Sequence, residues 1–402
     1  MSRSMRRIGP LARRAGAATV LLLLALGSLA RADAPVRGVV GKEVSLGAWA
    51  PETGPATALY ATGQGAVAYF RWLNEHGGID GYRFGMTLVN DQYDPALTPA
   101  AVRRLVNVDR VFAIVAGIGT PSNLAAMSYM VSVGIPDVAP ASGDPALTHP
   151  FRKNVFSVVP SYVSEGAFQA AFALDRLHAK SLAVIYENDD IGKPGLEGVT
   201  KMLASRGLRP AAAVAFDRGA VSYTPYIVRL KASGADTVVI WGAHPAFPPI
   251  LKAAEAIGYH PTWVTFGFDA DPNVVRQVPV DQLAKTYFDT WMPVPDGPGM
   301  AAYREAMSQF YPQSGTGMLS VQGWCLASVF ATAFSRMVQH GAKPSWAGLE
   351  RALESMGHIS NAYVHGLSFT PSDHRALPDV YVMKYEHGRI VRVTPYLALP
   401  RL

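Results

Sequence analysis

The sequence predicts an α/β protein made of two doubly wound sheets that face each other across a cleft. Three observations carry that prediction. Short apolar runs rich in β-branched residues alternate with helical patterns from Val44 to Ala139, the signature of strands joined by crossover helices. After an extended stretch, Phe151 to Pro160, a second series of the same kind begins near Glu165 and runs to Phe266. The chain of 402 residues also exceeds what one core usually serves.

In the first series, strand Val44 to Gly47 ends in the turn-rich Ala50-Pro51-Glu52-Thr53-Gly54-Pro55, and a helix follows from Thr62 to His76, stopped by Gly77-Gly78. Tyr82 to Asn90 is the second strand. Asp94 is placed to cap a helix that starts at Pro95 and runs to Asp109. Val111 to Ala116 reads as a strand buried on both faces. Gly117 and Gly119 then turn the chain, Thr120 is expected as an N-cap, and Pro121 stands at the first helical position with Ser122 and Asn123 behind it. The next strand, Ile135 to Ala139, ends in Pro140-Ala141-Ser142-Gly143. In open α/β sheets such carboxyl-end turns form the binding rim, and a helix N-terminus suits a carboxylate or another electron-rich group. Capping alone also accounts for these residues.

The second series reads as helix Glu165 to His178, strand Ser181 to Tyr186, helix Gly195 to Arg206 and strand Ala213 to Phe216. Helix Tyr226 to Ser233, strand Thr237 to Trp241, helix Ala246 to Gly258 and strand Trp263 to Phe266 complete it.

The N-terminus carries Arg3, Arg6, Arg7, Arg13 and Arg14 before an apolar run from Ala15 to Ala30. The run is short of the ~20 residues of a spanning helix and closes on Ala30-Arg31-Ala32, so residues 1–32 are expected to be a signal peptide cleaved after Ala32. No cysteine follows that site to take a lipid, and no later segment reads as apolar enough to span a bilayer. Six arginines and no acid lie in that segment, which leaves the rest with as many basic as acidic residues despite the formal charge of +6. Nucleic acid and anionic membrane are therefore not expected partners. Cys325 is the sole cysteine, expected in the core of an apolar helical stretch, Gly323 to Met337.

The usual catalytic and cofactor patterns are missing. The position three after Gly119 is Ser122 rather than glycine, and there is no phosphate-loop sequence, Gly-x-Ser-x-Gly elbow or His-Glu-x-x-His. No cofactor or metal is expected.

A set of short pieces resembles a known family: Pro51-x-Thr53-Gly54-Pro55, Asn74-x-x-Gly77-Gly78-Ile79-x-Gly81, Asp91-x-x-Asp94-Pro95, Pro140-Ala141 and Asn188-Asp189-x-x-Gly192. In this order over residues 42 to 390, they resemble the periplasmic solute-binding proteins of ABC transporters with the type I fold, in the leucine/isoleucine/valine-binding group. The resemblance implies two Rossmann-like lobes joined by three crossings, near Val159, Trp291 and His365. One lobe would comprise 33–160 with 291–365, the other 161–290 with 366–402. It implies a periplasmic monomer that closes on a small organic solute and delivers it to a membrane permease and its ATPase.

The resemblance also implies which loops touch the solute: Gly119, Thr120, Ser122 and Asn123 on one turn, Ala141, Ser142 and Gly143 on another, with Tyr60, Ile191, His244 and Asp269 around them. Several of these depart from the amino-acid binders. Gly143 stands at a hydroxyl position and Pro121 at a serine position, Ile191 replaces a tyrosine, and Ala243-His244 falls where another would be. Asp269 matches the acid that pairs with an ammonium group. Plainer readings stand beside these: Tyr60 as surface packing, Asp269 as a helix cap, His244 as a loop histidine. The departures favour a hydrophobic or aromatic carboxylate, then a branched-chain amino acid, then an amide or urea-like solute. A sensing module and an exported enzyme are the alternative functions.

Overall fold

The structure, a computed structural model, describes residues 36–401 apart from 243 and 377; the expected signal peptide lies outside the described residues. The first sheet holds β1 (Val39–Val40), β2 (Glu43–Trp49), β3 (Arg83–Val89), β4 (Ala113–Val115), β5 (Asp137–Val138) and β6 (Val155–Phe156). β3, β2, β4, β5 and β6 lie side by side and parallel, and β1 makes an antiparallel hairpin with the start of β2. β4 is buried along its whole length, as a central parallel strand covered on both faces must be.

Three helices connect these strands: α1 (Tyr60–Glu75), α2 (Thr98–Asn107) and α3 (Thr120–Val133). The helix expected from Pro95 begins one turn later. Asp94 accepts from the amide of Ala96 at 2.8 Å and so caps a local turn, and the helix proper starts at Thr98 with Pro99 in its first turn.

The second lobe alternates in the same way: α4 (Tyr162–Asp175), β7 (Leu182–Glu187), α5 (Gly192–Ala204), β8 (Ala213–Phe216), α6 (Thr224–Ala232), β9 (Thr237–Trp241), α7 (Phe247–Ala256), β10 (Thr262–Phe266) and β11 (Thr286–Thr290). Its sheet order is β13-β12-β11-β10-β9-β7-β8. Strands β7 to β11 are parallel, and the antiparallel pair β12 (Tyr381–Glu386) and β13 (Arg389–Arg392) closes one edge.

Between β11 and β12 the chain returns to the first lobe as α8 (Ala301–Phe310), α9 (Met318–Val338) and α10 (Trp346–Glu354), with α8 and α9 against α1. Glycines let α1 and α9 touch backbone to backbone. A Cβ on Gly65 would stand 1.9 Å from the Ser320 carbonyl oxygen, and one on Gly323 1.7 Å from that of Thr62. By length and composition α9 could cross a membrane, contrary to the sequence expectation, but nearly all of it is buried in the fold. It is the core helix of the first lobe, and Cys325 sits in its buried part, where burial pushes the thiol pKa up.

Three passages join the lobes. The first runs through Val159 to Ser161 between β6 and α4, the second leaves β11 through Trp291. The third leads from the first sheet into β12. Arg375 still runs parallel beside Ser157 at the edge of the first sheet, with Ser157 N–H donating to His374 and Ala376 N–H to Ser157, before the chain enters β12 at Tyr381.

A buried acid pair lies beside two of these passages. Glu165 is in the first turn of α4, Asp289 is in β11, and Gln169 Nε2 donates to Asp289 Oδ1 at 2.7 Å. Burial, reinforced by the negative charge of Asp289, holds the Glu165 carboxyl well above its usual range. Burial also pushes Asp289 up to about 6. The folded pair therefore keeps a proton that two solvated carboxylates would release. Raised folded-state pKa values mean that stability is greatest below the unfolded carboxyl pKa and falls as pH rises through about 6 and above. Chemical denaturation at about pH 5 and about pH 8 should show a lower unfolding free energy at the higher pH, by on the order of 1–3 kcal/mol. Glu165→Gln, which keeps a donor without the charge, should reduce that difference.

Candidate functional site

The site forms where the carboxyl ends of both sheets converge. After β4 the chain turns through Gly119, whose φ of 93° favours glycine, and α3 begins at Thr120. Gly119, not Thr120, is the N-cap, because the glycine makes the turn one residue earlier than expected. That shift frees the Thr120 hydroxyl for the cavity. Its Oγ1 lies 2.7 Å from Ser142 Oγ and 3.1 Å from the Tyr162 hydroxyl. A small cavity, about 80 Å³, opens beside this hydroxyl group. Such a volume accommodates several waters or a compact organic body.

The first lobe supplies Leu59, Thr62, Tyr93, Ile118, Gly119, Thr120 and Ala141 to the cavity wall, the first passage supplies Val159, and the start of α4 supplies Tyr162. Ile191, Gly242, Phe266 and Phe268 close it from the second lobe, and Leu319 and Gln322 come from α9. The hydroxyls of Thr120 and Tyr162 meet on one side, and most of the remaining wall is aliphatic or aromatic. No carboxylate or cation is among these lining residues. Burial raises the Tyr162 and Tyr93 phenols above their ordinary pKa, so both stay neutral donors.

Ser122 and Asn123 serve the turn rather than the wall. Ser122 Oγ donates to Asp91 Oδ2 at 2.6 Å, and Asn123 Nδ2 donates to the carbonyls of Gly117 and Gly119, each at 2.8 Å. Asp91, fully buried, also accepts from Thr98 Oγ1 at 2.9 Å and from the amide of Tyr93 at 3.1 Å. Ser142 lies one bond behind the wall, on Thr120. Gly143 is pressed against the first passage, where an added Cβ would stand 2.0 Å from the Pro160 carbonyl oxygen.

Tyr60 starts α1 and lines a wider opening of about 610 Å³ between the lobes, with Gln64, Pro248, Lys252 and Asp271. Asp269 is buried off the cavity and accepts from Thr265 Oγ1 at 2.6 Å, while its neighbour Phe268 takes a place in the wall. His244 begins a short 3-10 turn, His244–Ala246, but its side chain and the whole of Ala243 lie outside the described residues.

Of the expected residues, Gly119, Thr120, Ala141 and Ile191 therefore come together on one cavity. Tyr93, Tyr162, Phe268, Thr62 and Gln322 were not anticipated. Tyr93 was within reach, since it stands inside the Asp91-x-x-Asp94 turn at the carboxyl end of a strand, and Tyr162 directly follows a recognised passage. Gln322 carries no local signal, because its place depends on α9 packing against a helix 260 residues earlier, where Gln322 Oε1 comes 3.4 Å from Thr62 Oγ1.

The periplasmic binding protein family profile matches residues 43–389. The chain is 26% identical over 246 residues to an amino acid binding protein of Pseudomonas aeruginosa, the match covering 61% of this chain and 63% of that one. To a leucine-, isoleucine-, valine-, threonine- and alanine-binding protein of the same organism it is 25% identical over 210 residues, covering 52% and 56%. The matched region thus spans less than two thirds of either relative's length. Two solved structures share the fold over most of both chains. A branched chain amino acid ABC transporter protein from Thermus thermophilus with bound valine superposes with a TM-score of 0.81 at 19% identity, covering 90% of this chain and 97% of that one. The fatty acid ABC transporter substrate-binding protein from Thermomonospora curvata gives 0.78 at 18% identity, covering 91% and 95%. With the two-sheet architecture and the profile match over most of its length, this chain belongs to the periplasmic binding protein family.

Proposed function

We propose that this protein is the solute receptor of an ABC importer and that its solute has one anionic or hydrogen-bonding head and an apolar body. The observation that carries this is the cavity wall itself: a hydroxyl cluster around Thr120 on one side, aliphatic and aromatic side chains over most of the rest, and no charged side chain among its described residues. A head group takes its bonds from Thr120, Tyr162 and the start of α3, where the positive end of the helix dipole assists an anion. The body packs on Ile191, Phe266, Phe268 and Leu319, each gaining roughly 1 kcal/mol or more by area burial. An α-ammonium group would need an acid within reach, and a buried ammonium without one is costly. Asp269, the matching acid, is bonded to Thr265 away from the wall. The fatty acid binder with this fold supports the same reading. Closure of the lobes on the solute would present the liganded form to the permease and its ATPase.

A branched-chain amino acid is the second reading, favoured by the names of the relatives. Calorimetry on matched pairs separates the two: leucine against 4-methylpentanoate, and phenylalanine against 3-phenylpropanoate. Each pair has the same body with and without the ammonium. The acids lacking it should bind more tightly, and Thr120→Val should weaken them by about 1–3 kcal/mol through the lost head-group partner. Asp269→Asn should change their affinity little. Tight leucine binding that Asp269→Asn abolishes would establish the amino-acid reading instead.

We also propose that the protein works in the periplasm after cleavage behind Ala32. The support is the arginine-rich start, the apolar run and the Ala30-Arg31-Ala32 site, together with the family. Mass spectrometry of the periplasmic protein should find Asp33 at its N-terminus; an intact Met1 or Ser2 would refute the cleavage.

A further inference from the structure

Tyr93 belongs to the first lobe and lines the cavity, yet its other neighbour comes from the second lobe. The guanidinium carbon of Arg218 sits 5.5 Å from the centre of the Tyr93 ring, within the range of a cation–π contact. Both partners are held in place from behind. Tyr93 has a φ of 61°, and its amide donates to the buried Asp91 carboxylate. Its ring occupies the space beside Gly119, where an added Cβ would come within 2.4 Å of it. Arg218, in the turn after β8, donates from Nε to Glu187 Oε1 at 2.7 Å and from a terminal nitrogen to Asp189. Asp189 in turn accepts from the amides of Ile191 and Gly192 at the start of α5. Ile191 itself lines the cavity opposite Tyr93.

We propose that Arg218 is a positioning residue which clasps the two lobes through the face of Tyr93, holding that wall of the cavity in place. Glu187 and Asp189 belong to the same lobe as Arg218, so they pre-set the guanidinium before closure, and the ring arrives from the opposite lobe already fixed by Asp91. The contact forms when the lobes meet and is lost when they part. Solute bound behind Tyr93 leaves only after the clasp opens. The inference rests on the receptor reading insofar as the lobes part to admit a solute, but the contact itself needs no solute to be measured.

The test is interlobe energy transfer in protein without solute, labelled at Val108→Cys on the first lobe and Val228→Cys on the second. Both positions are exposed, and Cys325 is buried and takes no label. Arg218→Ala should raise the ratio of open to closed protein about two- to fivefold, the range of an exposed cation–π contact. Arg218→Lys keeps a cation above the ring and should restore most of the closed population, which a merely structural arginine would not allow. Tyr93→Leu, which keeps bulk without the π face, should match Arg218→Ala, and the double variant should go no further. Far-UV circular dichroism checks the fold of each variant. An open fraction unchanged by Arg218→Ala, additive effects in the double variant, or wild-type protein already fully open would overturn the clasp. Failure of the acids and amino acids above to bind would count against the receptor reading and leave these outcomes unaffected.

Discussion

A buried carboxylate must find donors, and Asp91 finds them on three separate segments. Ser122 reaches it from the start of α3, Thr98 from the start of α2, and the amide of Tyr93 from its own turn. The carboxyl end of β3 is thereby tied to the first turns of the helices on either side of β4. The position of Thr120, one residue from Pro121 and two from Ser122, follows from that tie. So does the left-handed backbone at Tyr93, which aims the ring at Gly119 and toward the opposite lobe. The first-lobe half of the cavity is organised by an acid that does not itself line it.

The cavity separates two physical tasks. In the proposed function, orientation falls to a few hydroxyls that bond to one another at 2.7 and 3.1 Å. Because hydroxyls both donate and accept, they can exchange these bonds for bonds to a solute without leaving any partner unsatisfied. Area falls to Ile191, Phe266 and Phe268 from the second lobe and Leu319 from α9. Charged groups are kept to the periphery, as with Arg218 between Glu187 and Asp189.

Periodicity made most of the fold legible. Strands Ala213–Phe216 and Thr237–Trp241 occur where the alternation placed them, and α3 starts within a residue of the expected point. Local pattern failed where the determinant was distant. The hairpin of Val39–Val40 is too short to show a period, and Asp94 could cap a turn without starting the helix. The hydroxyl-bearing turn was visible, and with it Thr120 and Ala141. Which of its side chains face inward was not, because Ser122 and Asn123 carry the same chemistry as Thr120 and only Asp91 and the Gly117 and Gly119 carbonyls decide where they point. Gln322 shows the limit most plainly, since its place is set by a helix 260 residues earlier, where Thr62 Oγ1 comes within 3.4 Å of it.

The contact of α1 with α9 bears on the order in which the molecule can be assembled. A chain that emerges amino-end first offers the strands of the first sheet early, but the helix whose Gly323 meets Thr62 follows the whole second sheet core. Until that helix arrives, α1 exposes the apolar face that Phe70 and Tyr69 would bury against Phe330 and Trp324. The first lobe is thus an incomplete body for most of synthesis. The segment that locks the leading half of the molecule is among the last to appear.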